Sequence, residues 1–240
     1  MTISASKIFI DYNHAKKILR KLELEFIEEK EKVTTLRKSD FSREFIKSSY
    51  KDDYREIYRV ARENLDYNFL IKEDGSFFQF GYELGENEKK DDIRYAYYEA
   101  PSSQISYEEF LSEMDLNFEQ CGSMFYEEYS QFLSETELKN NVTSIRYDFS
   151  ITQRKELIHP VSHLHIGQQN EIRLPISFIM TPKNFVAFIV RHIYWNKWRI
   201  VMEEPQFREE YLANYTTGKS LDELLFSGNE MRDLYLKCNT

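Results

Sequence analysis

The sequence is poor in cysteine and has no long hydrophobic run. Its two cysteines, Cys121 and Cys238, lie far apart and form no C-x-x-C pair, so we expect free, buried thiols rather than a disulfide or zinc framework. A transmembrane helix requires about 20 consecutive apolar residues, and because no segment approaches that length the sequence predicts no membrane crossing. Residues 1–10 lack the apolar core and the cleavage site of a secretory signal, which favours a cytoplasmic location.

The sequence also lacks the motifs of three large enzyme classes. There is no G-x-x-x-x-G-K-[ST] loop, no G-x-G-x-x-G segment after a strand and no G-x-S-x-G turn. These absences argue against nucleotide hydrolysis by a P-loop, against dinucleotide chemistry and against an α/β-hydrolase mechanism.

The composition and the hydrophobic pattern predict a globular α+β protein. Hydrophobic residues make up 41% of the chain and charged residues 30%. Alternating strand-like runs are interspersed with helical periodicity, without the regular βαβ order of a parallel sheet. We therefore expect a single domain with a mainly antiparallel sheet and flanking helices. Its parts would be an N-terminal helical part (11–63), a sheet-rich part (67–177) and C-terminal helices (182–236).

Local signals place several elements within these parts. The periodicity predicts an amphipathic helix over residues 11–33, and two helices between residues 205 and 236 that are separated near Gly218. Asp74-Gly75 lies between two aromatic-rich runs and predicts a hairpin, because both residues tolerate a positive φ. Thr181-Pro182 predicts the start of a helix.

Histidines are concentrated in one part of the chain. Four of the five fall between positions 159 and 192, and His159, His163 and His165 share one short segment. If His163 and His165 occupy one strand, the period of two places both rings on one face, with Leu164 opposite. Such a pair can act as general acid and base, with His159 assisting from the bend at Pro160.

Residues near the histidines can complete a site. On a neighbouring strand, Asp148 would orient a histidine ring and Tyr147 would offer a hydroxyl to a substrate. Arg146 and Arg173 would clamp an anion. Two other interpretations stay open: the histidines form structural hydrogen bonds in the sheet, or they bind a divalent metal ion with ligands that the sequence does not identify.

The charge distribution favours an anionic substrate. The whole chain carries a formal net charge of -9, which argues against nonspecific nucleic-acid binding. Between Asn140 and Arg199, however, eight basic residues stand against three acidic ones, and the histidines lie in this stretch. A locally positive site suits a phosphate-bearing substrate, although basic residues on strands also serve simply as a solvated surface.

Four segments carry a resemblance to a known family. They are Arg146-Tyr147-Asp148-Phe149, the histidine segment 159–167, Arg173-Leu174-Pro175-Ile176 and the helix with Pro182-x-x-Phe185. Together they resemble a bacterial family catalogued only as a domain of unknown function, number 2290, over most of the chain. That family brings no established activity.

The Arg-Tyr-Asp strand and the Pro-His-x-x-His-type segment are also distantly similar to small prokaryotic toxins of toxin–antitoxin pairs. The chain departs from them by inserting Val161-Ser162 before His163 and by its added helices. The resemblance implies a role in stress or phage defence.

Two functional hypotheses follow. The first is a cytoplasmic defence or toxin-like protein that cleaves a phosphodiester, with RNA favoured, by means of His163 and His165. The second is a non-enzymatic subunit of a defence complex that docks a partner ATPase or nuclease. Stable co-purification of a partner, unaffected by replacement of the histidines, would distinguish the second from the first.

Overall fold

The structure is a computed structural model that describes residues 3–29, 41–51, 53–84, 91–101, 107–137, 142–168 and 172–238. Its strands, numbered in chain order, are β1 (Phe26–Glu28), β2 (Phe69–Ile71), β3 (Phe77–Glu83), β4 (Asp92–Tyr98), β5 (Ser144–Ser150), β6 (Ser162–Ile166), β7 (Leu174–Pro175), β8 (Phe178–Ile179) and β9 (Lys219–Ser220). Its helices are α1 (Ala5–Lys21), α2 (Arg43–Ser48), α3 (Tyr54–Glu63), α4 (Tyr107–Glu113), α5 (Phe118–Cys121), α6 (Tyr126–Glu137), α7 (Pro182–His192), α8 (Trp195–Met202) and α9 (Pro205–Asn214).

The strands form one large antiparallel sheet and one small one. β1 to β7 lie side by side in chain order, each antiparallel to the next, and β8 pairs with β9. The expected hairpin joins β2 to β3, and Gly75 in its turn has a φ of 75°. The α+β class and the single body with flanking helices are therefore confirmed, and within the large sheet each strand lies beside the strand that follows it in the chain.

One face of the large sheet, called the inner face here, builds the main core. α7 lies beneath it and packs against α1. Phe185 of α7 contacts the rings of Phe78, Phe80 and Tyr95, and Tyr12 of α1 contacts Phe80. Apolar residues at every second strand position produce this face. Each buried aromatic side chain stabilises the fold by about 1.5–3 kcal/mol relative to exposure.

The opposite, outer face is divided into two regions. At its β2–β3 side, α2 and α3 cover a second apolar cluster that includes Phe45, Ile57, Leu70 and Phe77. Farther along the sheet, β4, β5 and β6 carry charged and imidazole side chains on the same face. The covered region stabilises the fold by burial, whereas the polar region holds the side chains that can do chemistry.

Two predicted helices differ from the observed ones. α1 ends at Lys21 instead of continuing toward residue 33, because Glu23 takes a left-handed conformation with a φ of 54° and β1 follows; residues 30–33 lie outside the described part. The second helix predicted after Gly218 does not form. Residues 219–238 instead contain β9 and a 3-10 turn at Glu230–Arg232, and Leu236 bridges to Ile176.

The start of α7 follows the predicted pattern. Thr181 is its N-cap, Pro182 occupies the first turn, and the amide of Asn184 donates to the carbonyls of Tyr215 and Thr217. Cys121 and Cys238 are free thiols as expected, but both are partly exposed and not buried. Among the described helices, none combines the length and the apolar character that crossing a bilayer demands.

Candidate functional site

The candidate site lies on the outer face of β4, β5 and β6. Strand register places Asp148 directly opposite His163 on one side and Arg94 on the other, and Arg146 opposite His165. Directly opposed residues in a sheet project from the same face, so these five side chains form one patch. We call Arg94, Arg146, Asp148, His163 and His165 the polar cluster.

Asp148 is the centre of the polar cluster. Arg94 Nε donates to its Oδ1 at 2.9 Å, and Arg146 Nε donates to its Oδ2 at 2.8 Å. His165 Nε2 lies 3.2 Å from the same Oδ2 atom. The carboxylate is nearly buried, whereas the side chains of Arg94 and Arg146 remain 41% and 43% exposed. The arginines therefore hold Asp148 while still facing solvent.

The surroundings of Asp148 favour its charged form. Burial acts to raise the pKa of its carboxyl, but the hydrogen bond from His165 and the positive charges of Arg94 and Arg146 outweigh burial. The pKa of Asp148 therefore lies well below its usual range. One carboxylate between two guanidinium groups leaves an excess of positive charge, which is a suitable setting for an anion.

His163 is buried and uses both ring nitrogens. It is 1% exposed, and its Nδ1 lies 2.8 Å from the carbonyl oxygen of Pro160, to which it must donate. In the neutral ring Nε2 then has no proton, so it accepts from His165 Nε2 at 3.0 Å. Burial lowers the pKa of His163 to about 4, which keeps the ring neutral near pH 7. In this arrangement His163 orients His165 and is not itself exposed to a substrate.

The third histidine of the segment extends the arrangement into a row. The rings of His159 and His163 lie 4.9 Å apart, and those of His163 and His165 lie 4.7 Å apart. His159 is half-buried. Burial, followed by the charge of Arg173, lowers its pKa. Three neighbouring imidazoles therefore connect the polar cluster with Arg173.

The loop that carries His159 is fixed by its own backbone and by the C-terminal segment. Lys155 and His159 exchange two backbone hydrogen bonds, of 3.0 and 2.7 Å. Arg154 donates to Glu230 at 2.8 Å and to the carbonyl of Leu225 at 3.1 Å. These contacts hold the entry to β6, so the position of His159 does not depend on β6 alone.

Two surface pockets flank the histidine row. One, of about 80 Å³, is lined by residues that include Arg146, His165, Ser144 and Gln168. The other is a shallower and larger pocket of about 430 Å³ lined by Gln153, Lys155, Ile158, His159 and Arg173. A chain-like ligand that bridges the two pockets would pass over the row.

The polar cluster also contains a possible ligand set for a metal. One oxygen of Asp148 and one ring nitrogen each of His163 and His165 lie within 4.8 Å of one another. Two imidazoles and one carboxylate are a combination found in metalloenzyme sites that keep an open coordination position. The sequence suggested that the histidines bind a metal, but it gave Asp148 only the role of orienting a histidine ring and so did not identify the carboxylate ligand.

The structure brings together most of the residues chosen from the sequence. Asp148, His163, His165 and Arg146 lie in the polar cluster, and His159 and Arg173 line the adjoining pocket. Tyr147 is the exception, because it does not offer its hydroxyl to this site as expected. It is fully buried on the inner face, where its hydroxyl contacts Ser162 at 3.0 Å and accepts from the amide of Met180 at 3.0 Å. Consecutive strand residues point to opposite faces, so Tyr147 cannot line the same site as Asp148.

Arg94 was missed by sequence reasoning. It lies 54 residues before Asp148, outside the basic stretch between Asn140 and Arg199. Its position between Ile93 and Tyr95 in an alternating strand was the available signal. Conversely, Lys183 and Lys197 belong to the basic stretch but bind elsewhere, Lys183 to the carbonyl of Asn214 and Lys197 to Glu73. Glu171 of that stretch lies outside the described residues.

Comparisons with known proteins give one match. No curated protein and no solved structure matches the chain. The family model described as "Uncharacterized conserved protein (DUF2290)" matches residues 19–227, which include every residue of the polar cluster. The chain therefore belongs to the DUF2290 family.

Proposed function

We propose that the protein is a histidine-dependent nuclease that cleaves a phosphodiester, with RNA as the favoured substrate. The observation that carries the proposal is the juxtaposition, on one sheet face, of two half-exposed arginines with a buried carboxylate and a row of histidines. Arg94 and Arg146 would bind the phosphate, since guanidinium groups match its geometry and charge. Arg173, which lines the larger pocket, would contact the next part of the RNA strand.

The histidines and Asp148 would act as a unit. Asp148 holds His165, and His163 supports His165 from the other side. His165 and His159 occupy the two ends of the row and line the two pockets, so they would meet the substrate directly. Developing negative charge on the phosphate would be stabilised by the arginines. These roles differ from the initial hypothesis in making His163 a positioning residue.

RNA is favoured over DNA on chemical grounds. Its 2′-hydroxyl lies next to the phosphodiester and can attack it, so positioned proton-transfer groups and cations are sufficient for cleavage. On a chain with a net charge of -9, a nucleic acid would favour this positive patch over the acidic remainder of the surface. A cytoplasmic role in bacterial phage defence or as a toxin belongs to the same proposal and is supported by the sequence resemblance alone.

The test is cleavage of labelled RNA and DNA of one sequence by the purified protein, with and without chelator. We expect RNA cleavage that His165→Ala abolishes and that His14→Gln, a change on α1 outside the cluster, leaves intact. Cleavage that persists in His165→Ala would contradict the proposal. No cleavage by the wild type, together with a co-purifying protein whose binding survives His165→Ala, would support a non-enzymatic subunit of a defence complex instead.

A further inference from the structure

We infer that Asp148, His163 and His165 bind one divalent transition-metal ion, best matched by Zn²⁺, beside the arginines that receive the phosphate. The ligand separations support this assignment. His163 Nε2 and His165 Nε2 are 3.0 Å apart, and His165 Nε2 and Asp148 Oδ2 are 3.2 Å apart. Ligand atoms bound to one tetrahedral zinc ion lie about 3–3.5 Å from each other, so these two separations fit such an ion, and all three ligand atoms lie within 4.8 Å of one another.

The contacts around the ligands point the same way. His163 donates from Nδ1 to the carbonyl of Pro160, which fixes the tautomer with a free lone pair on Nε2. A histidine that ligates a metal typically has this second hydrogen bond, because it orients the ring toward the ion. His165 Nε2 lies within hydrogen-bond distance of both His163 Nε2 and Asp148 Oδ2. If His165 carries its proton on Nδ1, a cation would take the place of the proton among these three atoms.

The sheet preorganises the three ligands. Asp148 and His163 are directly opposed on β5 and β6, and His165 is two residues farther along β6. Hydrogen-bonded strands hold these positions without the ion, so little order has to be created on binding. Imidazole ligands select transition metals over Mg²⁺ and Ca²⁺, which prefer oxygen. Three protein ligands leave one position of a tetrahedral ion for water or a phosphate oxygen.

The two arginines make the metal and the anion interdependent. Arg94 and Arg146 already neutralise Asp148, so a divalent ion enters a region of positive charge. An anion bound to both arginines and to the ion would relieve that repulsion. We therefore expect a nucleoside monophosphate to raise the affinity for Zn²⁺ about tenfold, and Zn²⁺ to raise the affinity for the nucleotide by the same factor. This coupling rests on the proposed phosphate-binding function, whereas the metal site itself does not.

The experiment is calorimetric titration of the full chain with Zn²⁺ and with Mg²⁺, with and without a nucleoside monophosphate, followed by visible absorption with Co²⁺. We expect one Zn²⁺ per chain and no comparable binding of Mg²⁺. Asp148→Asn, His163→Gln and His165→Gln should each weaken Zn²⁺ binding by at least about tenfold. His14→Gln, which removes a 38% exposed histidine outside the cluster, should bind Zn²⁺ as the wild type does.

Arg94→Ala gives the sharper result. Without nucleotide this variant should bind Zn²⁺ more tightly than the wild type, because one opposing charge is gone. The nucleotide should then raise the affinity for Zn²⁺ by a smaller factor than in the wild type. Near-ultraviolet circular dichroism of each variant establishes that its fold is retained. Zn²⁺ binding that is absent from the wild type, or that is equal in the wild type and in the folded variants of Asp148, His163 and His165, overturns the inference.

Separate measurements of Zn²⁺ binding and of RNA cleavage distinguish a failure of the metal site from a failure of the proposed function. RNA cleavage that continues in chelator, together with no Zn²⁺ binding in the titration without chelator, would refute the metal site and leave the nuclease intact. Zn²⁺ bound at the three residues without cleavage of any nucleic acid would support the metal site and refute the nuclease.

Discussion

The two faces of β5 and β6 differ in how their polar groups are satisfied. On the inner face, the hydroxyl of Tyr147 contacts Ser162 and accepts from Met180, and the adjacent Leu164 is fully buried. On the outer face, Asp148 and His163 depend on charged and imidazole partners, two of which still face solvent. On the inner face, neutral groups whose hydrogen bonds are satisfied by buried partners stabilise the sheet. On the outer face, charged groups that are partly exposed to solvent can exchange a protein partner for a ligand.

The largest loss of stability is expected for Leu164→Ala on the inner face. Leu164 lies between His163 and His165 and is fully buried against the core. Removing its side chain leaves a cavity, so the free energy of unfolding should fall by about 2–5 kcal/mol. Denaturant unfolding measures the loss, and Zn²⁺ titration below the transition measures the site. A loss of metal affinity in folded Leu164→Ala would mean that the two faces are not independent.

The next largest effect is expected for Asp148→Ala on the outer face. The change leaves Arg94, Arg146 and His165 without their shared acceptor, and hydrogen bonds to charged groups contribute about 1.5–3 kcal/mol each in well-packed settings. Because the arginines are half-exposed, water replaces part of this loss, and we expect about 2 kcal/mol of destabilisation. Denaturant unfolding checks it. RNA cleavage should be abolished, and a variant that cleaves normally would contradict the central role of Asp148.

The contribution of Asp148 to the free energy of unfolding depends on pH in a defined direction. Its pKa in the folded protein is lowered relative to the unfolded chain, so the unfolded state binds the proton more readily. The stabilisation is therefore present above the unfolded pKa of about 4 and is lost as the pH falls below it. In chelator, the stability difference between wild type and Asp148→Asn should be constant from neutral pH down to that range and shrink below it. A difference that grows on acidification would reverse the sign assigned to the interaction.

The sequence could predict those features of the site that depend on alternation within one strand, but not those that depend on how distant strands pair. The alternation around Leu164 was sufficient to place His163 and His165 on one face. The same alternation, applied to Tyr147 and Asp148, would have separated those two residues. The expectation that Tyr147 shares the site with Asp148 was therefore wrong, because adjacent strand residues face opposite sides of the sheet.

Other features of the site required the folded structure. Whether Asp148 or a neighbour faces His163 depends on the register between β5 and β6, which is set by the turn between Lys155 and His159. That turn contains Leu157 in a left-handed conformation, with a φ of 60°, for which its sequence gives no signal. Arg94 comes from a strand 54 residues away, and only the sheet order brings it to Asp148.

A smaller effect is expected for Tyr147→Phe, the inner-face neighbour of Asp148. The change removes one hydroxyl and leaves the amide of Met180 without that acceptor, at a cost of about 1 kcal/mol. Since the ring stays in place, the polar cluster should be undisturbed. Thermal unfolding should therefore shift while RNA cleavage and Zn²⁺ affinity remain at wild-type values. Loss of RNA cleavage in Tyr147→Phe would show that the hydroxyl of Tyr147 contributes to the site after all.

The smallest effect on stability is expected for Arg94→Gln. Its side chain is 41% exposed and its partner Asp148 retains Arg146 and His165, so the free energy of unfolding should change by less than about 1 kcal/mol. If Arg94 contacts a phosphate, however, RNA affinity should fall and its logarithmic dependence on salt concentration should lose about one unit of slope. Arg59→Gln on α3, which removes an exposed arginine paired with Glu63, is the matched control. An equal loss of slope in both variants would show that the outer face attracts RNA only through its general charge, and not through a phosphate site built around Asp148.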